Sequence, residues 1–311
     1  MDFLIFLAAM AALIYGADFI IKESERIALH FDISHFVIGA TLVAVGTSLP
    51  EMAASMFASY QGKSDLAIAN IVGSVSFNIV LILGLVFLIA KKMRPKRDLF
   101  AKDSAWIVVP IIIFVLMSID GTISRTEGFL FLFLMAGYLI FLFSDAKEDI
   151  EQEIDLTLAK EKFNWNRSIP LLLIGFVLTI GGANFVIESG SNIARMFGVS
   201  EWMIGLFLIS LGTSLPELVV SLVAIKKGNA DMSIGNIIGS NVANLSVALG
   251  GAALISPLAV NLKENFFDIA IMIAASAALL LILANRLYNK AGATILLLIL
   301  ALFLNNTLQT L

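Results

Sequence analysis

Cysteine is absent from this chain, which excludes disulfides, thiolate metal sites and cysteine nucleophiles but says nothing about compartment. The six prolines are too few for a proline-rich linker, and no low-complexity tract occurs. Charge is scarce as well: 14% of the 311 residues are charged and 59% are apolar, against roughly 25% and 45–50% in an ordinary globular domain. A soluble chain this apolar could not cover itself with polar surface, so lipid is its natural solvent. The small net charge of −4 argues against a nucleic-acid partner. The two histidines, His30 and His35, sit near a cytoplasmic helix entrance. An intramembrane enzyme would need a nucleophile or a metal set, and neither a His pair nor a Cys is available for one.

What is present is a series of long apolar runs. A membrane helix needs about 20 mostly apolar residues, and ten segments qualify, near 3–20, 36–60, 66–90, 104–119, 128–144, 168–187, 201–225, 231–258, 266–285 and 291–308. The third and eighth have room for internal breaks. The short apolar run Met1–Tyr15 looks like a signal-peptide core, but no basic residue precedes it and no small-x-small cleavage site follows. It reads as the first spanning helix, with Asp18 interfacial near its end.

Lys and Arg fall unequally in alternate loops. One set holds sixteen, from Lys22 and Arg26 through the cluster Lys91–Lys102 to Lys226, Lys227, Arg286 and Lys290; the other holds Lys63, Arg125, Arg195 and Lys263. The asymmetry predicts the first set in the cytoplasm, the chain in the cytoplasmic membrane and both termini outside. The most polar stretch, Asp145 to Arg167, contains seven acids but no EF-hand pattern of alternating oxygen ligands around a glycine. It reads as a solvated cytoplasmic linker.

The two halves of the chain repeat each other. Residues 38–84 align with residues 204–250 without a gap, and 21 of the 47 positions are identical. The match continues weakly upstream, where Gly16–Ala17 falls on Gly182–Ala183. Each half holds five spans, an odd number, so the second copy enters the membrane from the opposite side. The expected fold is an all-α membrane protein of ten transmembrane helices in two inverted five-helix repeats. Residues 1–144 form the first, 145–167 the linker and 168–311 the second. Such inversion brings equivalent polar motifs toward the bilayer midplane and makes transport the default function.

The strongest motif is Gly46-Thr47-Ser48-Leu49-Pro50-Glu51, which recurs as Gly212-Thr213-Ser214-Leu215-Pro216-Glu217. Glycine and proline inside apolar helices free carbonyls that survive at membrane depth only where they meet protein, water or an ion. Glu51 and Glu217 are the acids that hydropathy places deepest, and a carboxylate there is normally functional. Two carboxylates with carbonyl and hydroxyl oxygens suit a hard cation such as calcium. A second motif, Gly73-Ser74 with Asn78, is echoed as Gly239-Ser240 with Asn244. The four-residue spacing puts hydroxyl and amide on one helix face. Asn70 and Asn236, four residues earlier, extend these faces.

These paired motifs resemble the two alpha-repeats of the sodium/calcium exchanger family within the cation/calcium antiporter superfamily, in its prokaryotic form without a regulatory domain. The resemblance implies four ion sites among the second, third, seventh and eighth helices. Glu51 and Glu217 would bind calcium together with the Thr47 and Thr213 carbonyls. Sodium would draw on the Ala44 and Ser210 carbonyls, Ser48, Ser214, Ser74, Ser240 and the same glutamates, and Asn78 and Asn244 would line the centre. Family members usually exchange three sodium ions for one calcium, moving one net charge.

Ser210 replaces the small apolar residue found at its repeat mate Ala44, and Asn244 is neutral where some relatives, including the potassium-dependent branch, carry Asp; the Asn78/Asn244 pair resembles the potassium-independent type. The expected function is therefore sodium/calcium antiport by alternating access, with calcium and sodium as transported ions, no cofactor, and no partner beyond membrane lipid. The alternative is proton/calcium exchange on the same fold, since a desolvated glutamate can carry a proton; the many hydroxyls favour sodium. An ion channel would use similar oxygens without requiring a counter-ion.

Overall fold

The computed structural model describes residues 1–90, 93, 95–149, 163–199 and 212–309. Among these, eight helices are long and apolar enough to cross a membrane, or nine if the bent pair His35–Thr47 and Leu49–Tyr60 is one span. The remaining expected span, 201–225, lies partly outside the described residues, which cover only its Leu215–Lys226 part as helix.

In chain order the helices are α1 (Asp2–His30), α2 (His35–Thr47), α3 (Leu49–Tyr60), α4 (Ser64–Ile89), α5 (Leu99–Met117), α6 (Arg125–Asp149), α7 (Trp165–Met196), α8 (Leu215–Lys226), α9 (Ala230–Ile255), α10 (Phe266–Ala284) and α11 (Lys290–Gln309). A two-residue antiparallel ribbon pairs β1 (Thr122–Ile123) with β2 (Leu258–Ala259), in the register Thr122↔Ala259. Packing divides the chain into two compact units, residues 1–50 with 143–236 and residues 51–142 with 237–311. The units are not the repeats: each draws on both halves of the sequence.

In the first unit α1 lies against α7 at glycine contacts. A Cβ on Gly16 would come within 2.5 Å of Thr179 Oγ1, and one on Gly182 within 2.8 Å of the Leu13 nitrogen. Small residues of this kind let membrane helices pack backbone to backbone, and the weak upstream match Gly16/Gly182 marks this crossing. Ile20, Ile21, Val43, Leu172, Val220 and Met232 are part of the buried core. The helix α1 extends ten residues past the expected end near residue 20. Its added turns carry charges that find partners: Asp18 pairs with Lys22 at 2.8 Å and Lys227 at 2.6 Å, Glu23 pairs with Arg26, and Glu25 accepts from Asn229. His30 stacks on Phe163 with ring centroids 4.7 Å apart, an aromatic packing role.

In the second unit α4 packs on α10 and α11, and α10 also meets α5. A capping box opens α6, with Ser124 N and Oγ each 2.7 Å from Glu127 Oε2. Instead of breaks, α4 and α9 each contain a π turn, at Asn78–Leu83 and Asn244–Ala248. A further π turn, Gly39–Val43, lies in α2 of the first unit. Such turns insert one residue into the helical ladder and recur at functional positions. The apolar windows of α4 and α9 are each 78% buried, against 17–50% for the other spans, so the helices carrying Asn78 and Asn244 are interior ones.

Acids are buried more widely than hydropathy predicts. Asp103, wholly buried in the first turns of α5, is gripped by Arg97 at 2.7 and 3.1 Å, and the Arg97 guanidinium also lies over the Phe141 ring. The pair escapes a hydropathy reading because Arg97 precedes the helix. Removing one member of a buried pair strands the other charge. Asp103→Leu should therefore cost about 3–5 kcal/mol, while Asp103→Leu with Arg97→Met recovers most of it. Denaturant titration of the purified variants in detergent measures both.

Candidate cation-binding clusters

The two GTSLPE segments agree from the serine onward: Gly46 and Thr47 are helical while Gly212 and Thr213 lie in a turn, but each serine stands directly before a helix start. Ser48 leaves helical geometry at φ −83°, ψ 4°, and Ser214 at φ −85°, ψ 6°. Pro50 and Pro216 then stand in the first turns of α3 and α8, where a missing N–H and a fixed φ cost nothing. Glu51 and Glu217 follow in those same first turns, exposed by only 1% and 0%. The positive end of a helix dipole favours a carboxylate at that position.

The first unit holds Ala44, Thr47, Ser48, Thr213, Ser214 and Glu217. Ser48 Oγ donates to Glu217 Oε1 at 2.9 Å, so residues from the two repeat copies meet directly within this unit. The Ala44 carbonyl accepts from Ser48 N at 3.0 Å and from Thr47 Oγ1 at 3.3 Å. Thr47 Oγ1 also lies 3.3 Å from Asn236 Oδ1, and Asn236 Nδ2 donates to Ser221 Oγ at 3.1 Å. Ser214 is buried and Thr213 half-buried. Ser210 falls outside the described residues.

The second unit holds Glu51, Ser74, Asn78, Ser240 and Asn244, all buried. Asn78 Nδ2 donates to Asn241 Oδ1 at 3.0 Å, leaving Asn78 Oδ1 buried with no hydrogen-bond partner. Both amide atoms of Asn244 are likewise buried without one. Native proteins rarely leave such atoms unsatisfied, and those that remain call for a ligand, a water or an ion. Asn70 Nδ2 donates to Ser55 Oγ at 2.8 Å and to the Glu51 carbonyl at 3.1 Å. Among the described residues no three His, Cys, Asp or Glu side chains gather into a metal-binding group. Beside the two glutamates, these residues offer hydroxyl, amide and carbonyl oxygens, the donors of hard ions.

Comparison with known proteins places this arrangement. The family described as sodium/calcium exchanger protein matches residues 1–144 and 167–308. The chain belongs to the sodium/calcium exchanger family. It is 31% identical to the sodium/calcium exchanger MaX1 of Methanosarcina acetivorans over 91% of both chains. It is 30% identical to the inner membrane protein YrbG of Escherichia coli, over 90% of this chain and 88% of that one. The solved sodium-calcium exchanger NCX_Mj, soaked with sodium and strontium, superposes with a TM-score of 0.83 at 32% identity, covering 98% of this chain and 97% of that one. The chain thus has the ten-helix inverted-repeat fold of that exchanger, and it is a transporter, not an enzyme.

Several residues in these clusters lie outside the motifs. Ser55 and Ser221 belong to neither motif, although they are among the repeat identities, as are Asn70 and Asn236. Asn241 carries no such signal, because its repeat mate is Val75. The Ser48 bond to Glu217 is buried, and leaving a buried acceptor without its donor costs about 1–3 kcal/mol. Ser48→Ala should lower stability at neutral pH by about that amount, and Ser48→Thr should retain most of it. Unfolding midpoints in calcium-free detergent solution measure the difference.

Proposed function

We propose that this chain is an electrogenic, potassium-independent sodium/calcium antiporter working by alternating access. The observation that carries the reading is the duplicated helix start: a non-helical serine, Ser48 and Ser214, each followed within three residues by a buried glutamate. One such carboxylate could be structural. Two at equivalent positions of a repeat supply a formal charge of −2, which suits one calcium ion or a small set of sodium ions.

Glu51 and Glu217 take calcium in this proposal, with the Thr47 and Thr213 carbonyls. Ser48, Ser214, Ser74, Ser240 and the Ala44 and Ser210 carbonyls take sodium with the same glutamates, and Asn78 and Asn244 line the centre. The partnerless amide oxygens of Asn78 and Asn244 support that role. Shared ligands couple the fluxes, because a site occupied by calcium has no oxygens left for sodium. An empty, doubly charged site resists crossing a low-dielectric barrier, so the transporter changes state when loaded. Three sodium ions against one calcium would move one net charge per cycle. The inverted halves, residues 1–144 and 168–311, supply two related states, open inward and open outward. The Lys and Arg distribution supports both termini outside the cytoplasmic membrane.

The test is radiolabelled calcium uptake into sealed proteoliposomes loaded with sodium. Uptake should require the outward sodium gradient, respond to membrane voltage and persist without potassium. Glu51→Gln and Glu217→Gln should each reduce it to background. Uptake driven by a pH gradient alone would move the protein to proton coupling, and near-normal flux in either glutamine variant would remove that residue from the site.

A further inference from the structure

The polar interior contains a second duplicated feature. In the second unit Asn70 Nδ2, on α4, donates to Ser55 Oγ on α3 at 2.8 Å. In the first unit Asn236 Nδ2, on α9, donates to Ser221 Oγ on α8 at 3.1 Å. The donors are repeat mates, the acceptors are repeat mates, and all four are identical across the repeat. Each serine stands four residues after a glutamate, Ser55 after Glu51 and Ser221 after Glu217. That spacing puts serine and glutamate on one face of one helix. Both serines are fully buried.

We infer that Asn70 and Asn236 are positioning residues, each clamping the helix that carries a glutamate through the serine one turn beyond it. This inference rests on the proposal that Glu51 and Glu217 bind the transported cations. A helix that starts after a non-helical serine has no continuous ladder through its start to fix its rotation about its own axis. A side-chain bond one turn along restores that constraint, and it sets the direction in which the glutamate projects. Further contacts strengthen each clamp. Asn70 also donates to the Glu51 carbonyl at 3.1 Å. Ser233 Oγ donates to the Ser221 carbonyl at 3.1 Å, tying α9 to α8 a second time. Asn236 Oδ1 lies 3.3 Å from Thr47 Oγ1, which links the clamp to the other GTSLPE segment of its unit.

No ligand is needed to explain these bonds, and neither asparagine need touch an ion. Their effect is on geometry: a carboxylate misdirected by a fraction of an ångström binds a cation more weakly while the protein remains folded.

Valine and threonine separate this role from packing, since they are nearly the same size and differ by the hydroxyl. Ser55→Val, Ser55→Thr, Ser221→Val and Ser221→Thr would be made in the full chain and compared as monodisperse protein in detergent. Calcium affinity is read by equilibrium binding of radiolabelled calcium, and sodium-driven uptake is read in parallel. The valine variants should bind calcium about five- to tenfold more weakly, the scale of one lost hydrogen bond, and the threonine variants should stay within about twofold of the unmodified protein. Equal affinity in the valine and threonine variants of both serines would overturn the inference. So would a loss of folded protein with calcium affinity unchanged. Calcium binding without sodium-coupled uptake in the unmodified protein would overturn the antiport proposal and leave the clamps readable by binding alone. No calcium binding at all would overturn both.

Discussion

A polar group inside hydrocarbon has no water to fall back on, so each interruption of a membrane helix must find its hydrogen bonds within the protein. The helix break at Ser48 and the matched helix start after Ser214 impose that demand at corresponding points of the two halves, and much of the polar interior answers it. Ser48 bonds to Glu217, the Ala44 carbonyl takes two donors, and Asn70 and Asn236 clamp the helices that start after Ser48 and Ser214.

The duplication is close but not complete. The clamps and the backbone angles at Ser48 and Ser214 repeat, whereas the side-chain hydrogen bond from Asn78 to Asn241 has no counterpart, because position 75 is valine. Asn78 therefore has its amide nitrogen fixed and its oxygen left over, while both amide atoms of its mate Asn244 are left over. An exchanger that binds unlike ions has reason for such a difference, since identical half-sites would offer each ion the same donors twice. Buried ion pairs elsewhere serve a different purpose. Arg97 and Asp103 neutralise each other at the start of α5, and the charges in the last turns of α1 are paired or hydrogen-bonded.

Much of this was legible in the sequence, because bilayer thickness fixes the length of an apolar run and because a 47-residue repeat exposes what its copies share. The glutamates, the breaks and the asparagine faces came from that repeat. Helix ends were less legible: α1 runs on to His30 because Asp18 and Glu23 satisfy Lys22 and Arg26, pairings that hydropathy scores only as charge. The π turns at Asn78 and Asn244 leave no composition signal, since one extra residue in a ladder barely disturbs an apolar window. Asn241 was hidden because its mate is apolar, and Asp103 because its partner lies outside the span. Ser210 and the start of the 201–225 segment fall outside the described residues.

The claim on which coupling depends is that calcium and sodium use the same oxygens. Equilibrium binding of radiolabelled calcium to the purified protein, titrated with sodium at constant ionic strength, tests it without requiring transport. Shared ligands predict that sodium displaces calcium completely and with a Hill coefficient above one, while potassium and choline do not. Calcium binding that persists unchanged through saturating sodium would contradict it.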